Sequence, residues 1–275
     1  MWRPACGRRV TAGSCALLAS SLVRLVRFRH GNRIATGSLE GAFVRPLRGT
    51  YFDNPVPTGE EIPLQDVRLL APVLPSKVVC IGRNYVDHAE EMGGEVPEEP
   101  LIFLKPSTSV IGPGDPIPYP SISERVDHEA ELAVVIGRLA RYVKSEEAGK
   151  YILGFTCGND VTARDLQAKD GQWTRGKGFD GFCPLGPWIE TVFDPTDVAV
   201  ECRVGGDTRQ AARTSLLTFG PNELIEFITQ VMTLLPGDVI MTGTPAGVGP
   251  MQVGDRVEVE IEGIGVLENE VTKGV

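Results

Sequence analysis

Short apolar segments bounded by glycine and proline recur along most of the chain. Four examples are residues 77–82 (KVVCIG), 101–105 (LIFLK), 132–136 (LAVVI) and 256–263 (RVEVEIEG), each five to eight residues long. Segments of this length between turn residues are typical of β-strands. Because strands outnumber helices and do not alternate regularly with them, we predict an α+β fold that is predominantly β.

One segment has apolar residues at a clear helical spacing. Residues 221–235 (PNELIEFITQVMTLL) begin with a proline, which is favoured in the first turn of a helix. The positions predicted to face the core are Leu224, Ile228, Val231 and Leu235. Just before this helix, Gly205 and Gly206 separate two strand-like segments and predict a hairpin turn.

Two shorter helices and one long loop are also predicted. Residues 84–94 are expected to form a helix with Asn84 as its N-cap. A second helix is expected to start directly after Asp160. Residues 171–186 contain many glycines and are expected to form an irregular loop, a common location for functional residues.

Composition excludes several classes of function. Gly (32) and Pro (21) are abundant, in agreement with many strands and tight turns. The formal net charge of −9 provides no electrostatic footprint for nucleic acid and argues against binding to anionic membranes. The six cysteines are widely spaced without a CxxC pair, which favours a reducing cytosol. We therefore expect a cytoplasmic protein with neither a nucleic-acid nor a membrane partner. Because the chain has only three histidines, any metal site must depend on carboxylates.

The first residues differ from the remainder of the chain. Residues 1–22 contain arginines but no acid, and could be a transit-like segment, a weak secretory signal or, as we expect, a disordered extension. Residues 23–72 are predicted to form a small β-rich N-terminal lobe. Pro72 and Pro75 mark the boundary to a larger domain at 73–275. No run of about 18 apolar residues occurs, so no membrane-spanning helix is predicted.

Two glutamates precede the most apolar strand and share one of its faces. Side chains two positions apart in a strand point the same way, so Glu129 and Glu131 bring like charges together. Water at the end of the strand could relieve this repulsion, and so could a cation. Asp160 follows another strand; it could simply cap a helix, since Thr162 and Asp165 resemble a capping box. Together the three carboxylates are the hard oxygen ligands that Mg²⁺ or Mn²⁺ prefers.

Two further groups could carry chemistry. His88 and Glu91 share a face of the predicted helix at 84–94, so the carboxylate could orient the imidazole as a general base; an ordinary surface salt bridge is the alternative. Lys177 could be merely solvated, but beside a bound metal it could hold an anionic substrate or polarise its carbonyl. Residues 242–249 (TGTPAGVG) offer amides and hydroxyls to a carboxylate but lack the ending of a phosphate-binding loop.

Seven motifs resemble, in order, the signature series of the fumarylacetoacetate hydrolase family: GRNYVDHAEEM, FLKPST, DHEAELAVVIG, NDVTARDLQ, WTRGKGFD, CPLGP and TGTPAGVG. The resemblance extends from about residue 77 to residue 275, and residues 23–70 resemble the family's small N-terminal lobe more loosely. It implies a mixed β-sandwich roll around a divalent metal, usually in a homodimer. It also implies that Glu129, Glu131 and Asp160 bind Mg²⁺ or Mn²⁺.

The resemblance further implies roles for residues around the metal. His88 and Glu91 would be the water-activating dyad on a lid segment, and Lys177 would contact the reacting carbonyl. Gly176 stands where related sequences tend to carry alanine and could loosen the loop. Four more positions resemble substrate contacts: Arg83, Tyr85, Gln167 and Thr244.

The substrates of this family are 2-oxo acids or their enols. We predict divalent-metal-dependent cleavage of a C–C bond in a small 2-oxo acid, of the acylpyruvate hydrolase or oxaloacetate decarboxylase type. The alternative is a 2-hydroxyhepta-2,4-diene-1,7-dioate isomerase or 5-oxopent-3-ene-1,2,5-tricarboxylate decarboxylase of aromatic catabolism. A second alternative, a non-catalytic protein that binds a 2-oxo acid, is disfavoured because both His88 and Glu91 are present.

Overall fold

The computed structural model describes residues 24–95 and 97–274, so the extension predicted at 1–22 lies outside the described residues. Strands predominate in the described part, and the predicted α+β fold class is confirmed. No helix among these residues is both long and apolar enough to cross a membrane. The helices are α1 Val86–Glu91, α2 Arg164–Asp170, α3 Thr174–Lys177 and α4 Pro221–Val231, with 3₁₀ turns at Leu64–Asp66, Ser107–Ser109, Ser145–Tyr151 and Thr214–Leu216.

The strands form three sheets. In chain order they are β1 Arg24–His30, β2 Arg33–Glu40, β3 Phe43–Arg48, β4 Val56–Pro57, β5 Ile62–Pro63, β6 Arg68–Leu70, β7 Val78–Gly82, β8 Leu101–Lys105, β9 Val110–Ile111, β10 Ile117–Tyr119, β11 Val126–His128, β12 Ala130–Ile136, β13 Ile152–Asn159, β14 Thr162–Ala163, β15 Cys183–Glu190, β16 Ala199–Val204, β17 Asp207–Arg213, β18 Val239–Met241, β19 Gly249–Pro250, β20 Arg256–Ile261 and β21 Gly265–Lys273.

The largest sheet has the strand order β4-β3-β2-β1-β15-β13-β12-β18-β7-β8, with β5, β6 and β9 attached at its sides. It is mixed, because β18 and β7 are parallel whereas β12 is antiparallel to both of its neighbours. Arg24 and Leu25 of β1 pair with the end of β15, so the N-terminal strands continue the same sheet. These strands also enclose a small core of their own, formed by Val26, Phe28, Leu39, Val44 and Ile62.

A five-stranded sheet, β10-β21-β20-β16-β17, packs against the large sheet and forms a sandwich. The alternation of strand β12 decides which side chain faces which layer. Leu132 and Val134 belong to the core between the sheets, whereas Ala133 and Val135 face the opposite side. Glu131 lies two positions before Ala133 in the same strand, so its side chain points to this second face, away from the sandwich core.

The hairpin predicted between the strands now labelled β16 and β17 is confirmed. These two strands pair antiparallel, and Val204 pairs with Asp207 across the turn. Gly205 and Gly206 have φ values of 60° and 89°, the left-handed region that glycine adopts without steric cost.

The predicted helix caps are wrong. Helix α1 begins at Val86 with Tyr85 as its N-cap, and the Asn84 side chain instead bonds the backbone of Phe219 and the carbonyl of Thr242. Helix α2 begins at Arg164, not directly after Asp160. In both cases side-chain hydrogen bonds to distant segments compete with local capping.

The capping box predicted from Thr162 and Asp165 is also wrong. Thr162 lies in β14, and its hydroxyl contacts the Glu129 carboxylate and the Asp160 carbonyl. Asp165 accepts hydrogen bonds from the Ser123 hydroxyl and the backbone of a neighbouring residue. Asp160 therefore has no capping role, and its carboxylate instead binds Lys105 and Lys177.

Helix α4 is shorter than its periodic pattern predicts. It starts at Pro221, as expected, and buries Leu224 and Ile228, but it ends at Val231, which is 62% exposed. The chain then becomes extended, because Leu234 exchanges two backbone hydrogen bonds with Ala140. This bridge interrupts the helical period, and Leu235 is exposed as well.

The long loop predicted at residues 171–186 is only partly correct. It contains the short helix α3, and the first residues of β15 form a central strand of the large sheet. Helix α3 is too short to show a helical period of apolar residues. The prolines and glycine in β15 are residue types that are uncommon in strands, so the sequence did not predict a strand there. Gly176 lies within α3, where a Cβ would stand 2.9 Å from the backbone of Gln167. Instead of loosening a loop, this glycine permits close packing of α3 on α2.

Candidate active site

Strand register brings the three predicted metal ligands together. Glu129 lies between β11 and β12, Glu131 lies in β12, and Asp160 directly follows β13. Ala130 pairs with Asn159 across the two long strands, and the amide of Asp160 donates to the carbonyl of Glu129 at 2.9 Å. As a result, one carboxylate oxygen from each of the three acids lies within 4.8 Å of the other two. We call these three residues the acidic triad.

The acidic triad is buried among cations. Lys177 Nζ donates to Glu129 Oε2 and to Asp160 Oδ2, each at 2.8 Å. Lys105, which is fully buried, donates to Asp160 Oδ1 and to the carbonyl of Val161. These contacts are charge-assisted hydrogen bonds, which are stronger than those between neutral groups.

Charges around the acidic triad change the pKa values of its members in opposite directions. Burial raises the pKa of the Glu129 carboxyl, but Lys177 and Arg164 outweigh it and hold that pKa below its ordinary value. Burial likewise lowers the pKa of the Lys177 ammonium, but Asp160 and Glu129 outweigh it and keep the pKa above its ordinary value. Glu129 and Lys177 are therefore both charged at neutral pH.

Glu131 is the member of the triad that lacks a cation. Its Oε2 accepts a hydrogen bond from the Gly243 amide at 2.7 Å, and no lysine or arginine among the described residues forms a salt bridge with it. Burial and the charges of Asp160 and Glu129 raise its pKa. A divalent cation among the three oxygens would supply the missing positive charge, so the donor set fits Mg²⁺ or Mn²⁺.

His88 and Glu91 form a hydrogen-bonded pair on helix α1. His88 Nδ1 lies 3.2 Å from Glu91 Oε2, and Glu91 also accepts hydrogen bonds from the amide of Gly247 at 3.1 and 3.2 Å. The loop after β18 therefore holds Glu91, and Glu91 orients the imidazole. His88 is buried and lines the same cavity as the acidic triad.

The cavity has a volume of about 270 Å³ and brings together most of the predicted site residues. The acidic triad, His88 and Lys177 line it, together with Arg83, Gln167 and Thr244. Tyr85 does not line it: this side chain is buried, and burial together with the charge of Glu131 raises its pKa. Glu91 stands behind His88 and reaches the cavity only through it.

Several residues of the site were not predicted from the sequence. Arg164 donates to Asp127, Gln167 and Glu129, and it also lines the cavity. Its spacing of three from Gln167 on α2 was a usable signal. Lys105 ends an apolar strand, where a lysine is unusual, and this was a second signal.

An apolar wall completes the cavity. Trp173 packs edge-on against Phe103 with ring centroids 5.1 Å apart, and Met92 lies on the same lining. A Cβ on Gly82 would meet the Trp173 ring at 2.7 Å, so glycine is needed for the indole to reach this position. The Lys177 ammonium lies 5.1 Å from the centroid of the Phe103 ring, within the range of a cation–π contact.

Comparison with known proteins identifies close relatives. Residues 77–272 match the family described as Fumarylacetoacetate (FAA) hydrolase C-terminal, and residues 23–72 match one described as Rv2993c-like, N-terminal. The chain is 51% identical over 261 residues to Protein Rv2993c of Mycobacterium tuberculosis, covering 91% of this chain and 98% of that protein. It is 45% identical over 222 residues to Oxaloacetate tautomerase Fahd2a, mitochondrial, of Rattus norvegicus, covering 76% and 71%.

Solved structures agree with these sequence matches. The structure of 5-carboxymethyl-2-hydroxymuconate delta-isomerase from Mycobacterium smegmatis is 51% identical, with a TM-score of 0.86 over 91% of this chain and 99% of that one. Fumarylpyruvate hydrolase from Pseudomonas aeruginosa, in complex with Mn²⁺ and pyruvate, is 33% identical, with a TM-score of 0.69 over 75% of this chain and 92% of that one. The chain therefore belongs to the fumarylacetoacetate hydrolase family, whose members are enzymes.

Proposed function

We propose that this protein is a divalent-metal-dependent enzyme that cleaves a C–C bond in a small 2-oxo acid. The observation that carries the proposal is the His88–Glu91 pair, which stands at the wall of the cavity that the acidic triad lines. A base facing a carboxylate-lined cavity suits a reaction that moves a proton next to a metal-bound substrate. Hydrolysis of an acylpyruvate uses every one of these groups.

The acidic triad would hold the metal. When bound, Mg²⁺ or Mn²⁺ supplies Lewis acidity that stabilises the negative charge developing on the 2-oxo oxygen of the substrate. The relative fumarylpyruvate hydrolase, solved with Mn²⁺ and pyruvate, supports this choice of ion and of substrate head. Thr162 donates a hydrogen bond to Glu129, and the Gly243 amide donates one to Glu131, so both carboxylates are held in place.

His88 is the proposed base. In the neutral imidazole, Nδ1 carries the proton donated to Glu91, because a carboxylate can only accept, and Nε2 keeps its lone pair. Nε2 can therefore take a proton from water, and the hydroxide forms a bond to the acyl carbonyl carbon. The C–C bond to the pyruvate unit then breaks and leaves its electron pair on the pyruvate enolate. The enolate carbon takes the proton from His88 Nε2, and the products are a carboxylic acid and pyruvate.

Lys177 is the proposed electrophilic contact. Its ammonium has three hydrogens, of which two are donated to Glu129 and Asp160. The third remains for a carbonyl oxygen of the substrate, where it would stabilise developing negative charge. Decarboxylation of oxaloacetate would use the same contact without water.

Isomerisation or tautomerisation is the second candidate. It is favoured by the 45% identity to an oxaloacetate tautomerase and the 51% identity to a muconate isomerase. In such a reaction His88 would move a proton between two positions of the substrate, with no hydrolysis. The non-catalytic alternative makes no use of this oriented base.

A substrate panel tests the proposal. Purified protein with Mg²⁺ or Mn²⁺ is incubated with acylpyruvates, oxaloacetate and a 2-hydroxymuconate-type dioate, and ultraviolet absorbance and product analysis separate cleavage from isomerisation. Glu131→Ala and Asp160→Ala should abolish both metal binding and turnover, whereas Glu146→Ala, at an exposed position outside the cavity, should not. Full turnover in either triad variant, or in chelator-treated protein, contradicts the proposal.

A further inference from the structure

One cation in the cavity has no partner of its own. Arg83 lines the cavity and is half-buried, but no salt bridge or side-chain hydrogen bond connects it to another residue in the described ranges. The other cavity cations differ in this respect. Lys177 holds two carboxylates, and Arg164 holds two carboxylates and an amide oxygen.

The backbone aims the Arg83 side chain. Arg83 directly follows β7 and has a φ of 56°, a left-handed conformation that is uncommon outside glycine. The next residue, Asn84, is anchored by three hydrogen bonds to the backbone of Phe219 and Thr242, which holds this conformation in place. Strain of this kind persists where the surroundings enforce it, and it is common at ligand sites.

The segment after helix α1 leaves room for the guanidinium. A Cβ on Gly94 would lie 2.7 Å from Arg83 Nη1, so the guanidinium packs directly against the glycine backbone. A larger residue there would push the guanidinium out of its position. Arg83 is thus held between the end of β7 and the end of the segment that carries His88.

The salt bridges around the cavity point to an anionic occupant. Three cations lie around the acidic triad, Lys105, Lys177 and Arg164, and each of them is held by Glu129 or Asp160. Asp127, which also binds Arg164, has the exposed Arg125 as a second cation. Arg83 takes part in none of these salt bridges, so its charge is available to a ligand.

We propose that Arg83 binds a second carboxylate, distal to the 2-oxo acid head, so that the protein prefers 2-oxo dicarboxylates to 2-oxo monocarboxylates. The proposal rests on the proposed function, which places the head at the acidic triad. A guanidinium matches a carboxylate in a bidentate geometry.

Ile81, Met92 and Trp173 supply apolar lining to the cavity. Of its other polar side chains outside the triad and its cations, Gln167 accepts from Arg164, Thr244 donates to the Ala130 carbonyl and His88 contacts Glu91. The Arg83 guanidinium is therefore the group that selects the tail.

A matched pair of unreactive ligands tests this selectivity by binding alone. Malate and its 4-amide, malamate, have the same 2-hydroxy acid head and nearly the same shape, and they differ by the charge of the distal group. Isothermal titration of the Mg²⁺-loaded protein should show malate binding about tenfold to a hundredfold more tightly, the range typical of a hydrogen bond between charged groups. Equal affinities would overturn the proposal without any variant being made.

Variants then assign the preference to Arg83. In Arg83→Gln the two ligands should bind with equal affinity, while Arg83→Lys should keep part of the preference as a point charge. Arg138→Gln removes the same charge at an exposed position outside the cavity and should keep the full preference. A preference that survives in Arg83→Gln overturns the proposal.

The outcomes separate this inference from the proposed reaction. Tight binding of malate over malamate with no turnover in the substrate panel supports the role of Arg83 and refutes the proposed reaction. Turnover of acylpyruvates with no preference between the two ligands supports the reaction and refutes the role of Arg83.

Discussion

Replacing Lys105 by methionine removes a buried cation from the acidic triad and keeps a side chain of similar length. Lys105 is fully buried and contacts the Asp160 carboxylate and the Val161 carbonyl. Removing one partner of a buried ion pair costs about 3–5 kcal/mol, because the other charge stays buried without compensation. Lys177 still lies 2.8 Å from Asp160, so the loss should be near the lower end, about 3 kcal/mol.

Divalent ions should change the size of this loss. Lys105 repels any cation bound at the acidic triad, so its removal should raise the affinity for Mg²⁺. Because an ion that binds only the folded state stabilises it, Mg²⁺ should stabilise Lys105→Met more than the unsubstituted protein. The stability lost in chelator is therefore partly restored in excess Mg²⁺.

Urea unfolding followed by circular dichroism, in chelator and in excess Mg²⁺, measures both effects. Lys144→Met is the control, since it removes a lysine from an exposed ion pair with Glu226 and should leave the free energy of unfolding nearly unchanged. The reasoning is refuted if Lys105→Met loses less than about 1 kcal/mol in chelator, the size typical of an exposed pair. If Mg²⁺ stabilises Lys105→Met and the unsubstituted protein equally, the expected rise in Mg²⁺ affinity on removal of Lys105 is refuted.

Three further predictions concern the base, the pH dependence of stability and the loop that holds Glu91. His88→Gln should lower hydrolysis or isomerisation about 10²- to 10⁴-fold, but it should spare the decarboxylation of oxaloacetate, which needs no base; parallel rate assays compare them. Although burial raises the pKa of Asp238, hydrogen bonds outweigh it and hold the pKa below its ordinary value, so this group stabilises the fold above about pH 4 and less as pH falls. At pH 7, urea unfolding should therefore show a free energy of unfolding about 1–3 kcal/mol lower for Asp238→Asn than for the unsubstituted protein. A difference in stability between the two proteins that does not become smaller in acid would contradict this. Gly247→Ala should lower the free energy of unfolding by about 1–3 kcal/mol, because φ is 96° and a Cβ would lie 2.2 Å from the Arg209 carbonyl. It should also weaken the hydrogen bonds from the Gly247 amide to Glu91. An unchanged melting curve would contradict this prediction.

Much of the fold could be predicted from local pattern. The apolar strands at 101–105 and 132–136, the hairpin at Gly205 and Gly206 and the start of helix α4 at Pro221 are all found in the structure. Each depends on a residue type or a period acting within a few positions. The homodimer and the cytoplasmic location stay predictions.

Predictions failed where a distant segment competed with a local preference. Asn84 is a good N-cap by type, yet it binds the backbone of Phe219, which lies 135 positions further along the chain. The end of helix α4 was missed because the bridge between Leu234 and Ala140 ends the helix, and no local residue signals it.

For the candidate site, the sequence by itself determined that Glu129 and Glu131 share a face, because the period of a strand follows from covalent geometry. Only the tertiary structure decided that Asp160 joins them and that Lys105 and Arg164 balance their charge. It also decided that Arg83 has no salt bridge within residues 24–95 and 97–274. These facts depend on the pairing of β12 with β13 and on the packing of α2 and α3. Such contacts depend on the packing of the whole chain, so nearby residues cannot reveal them.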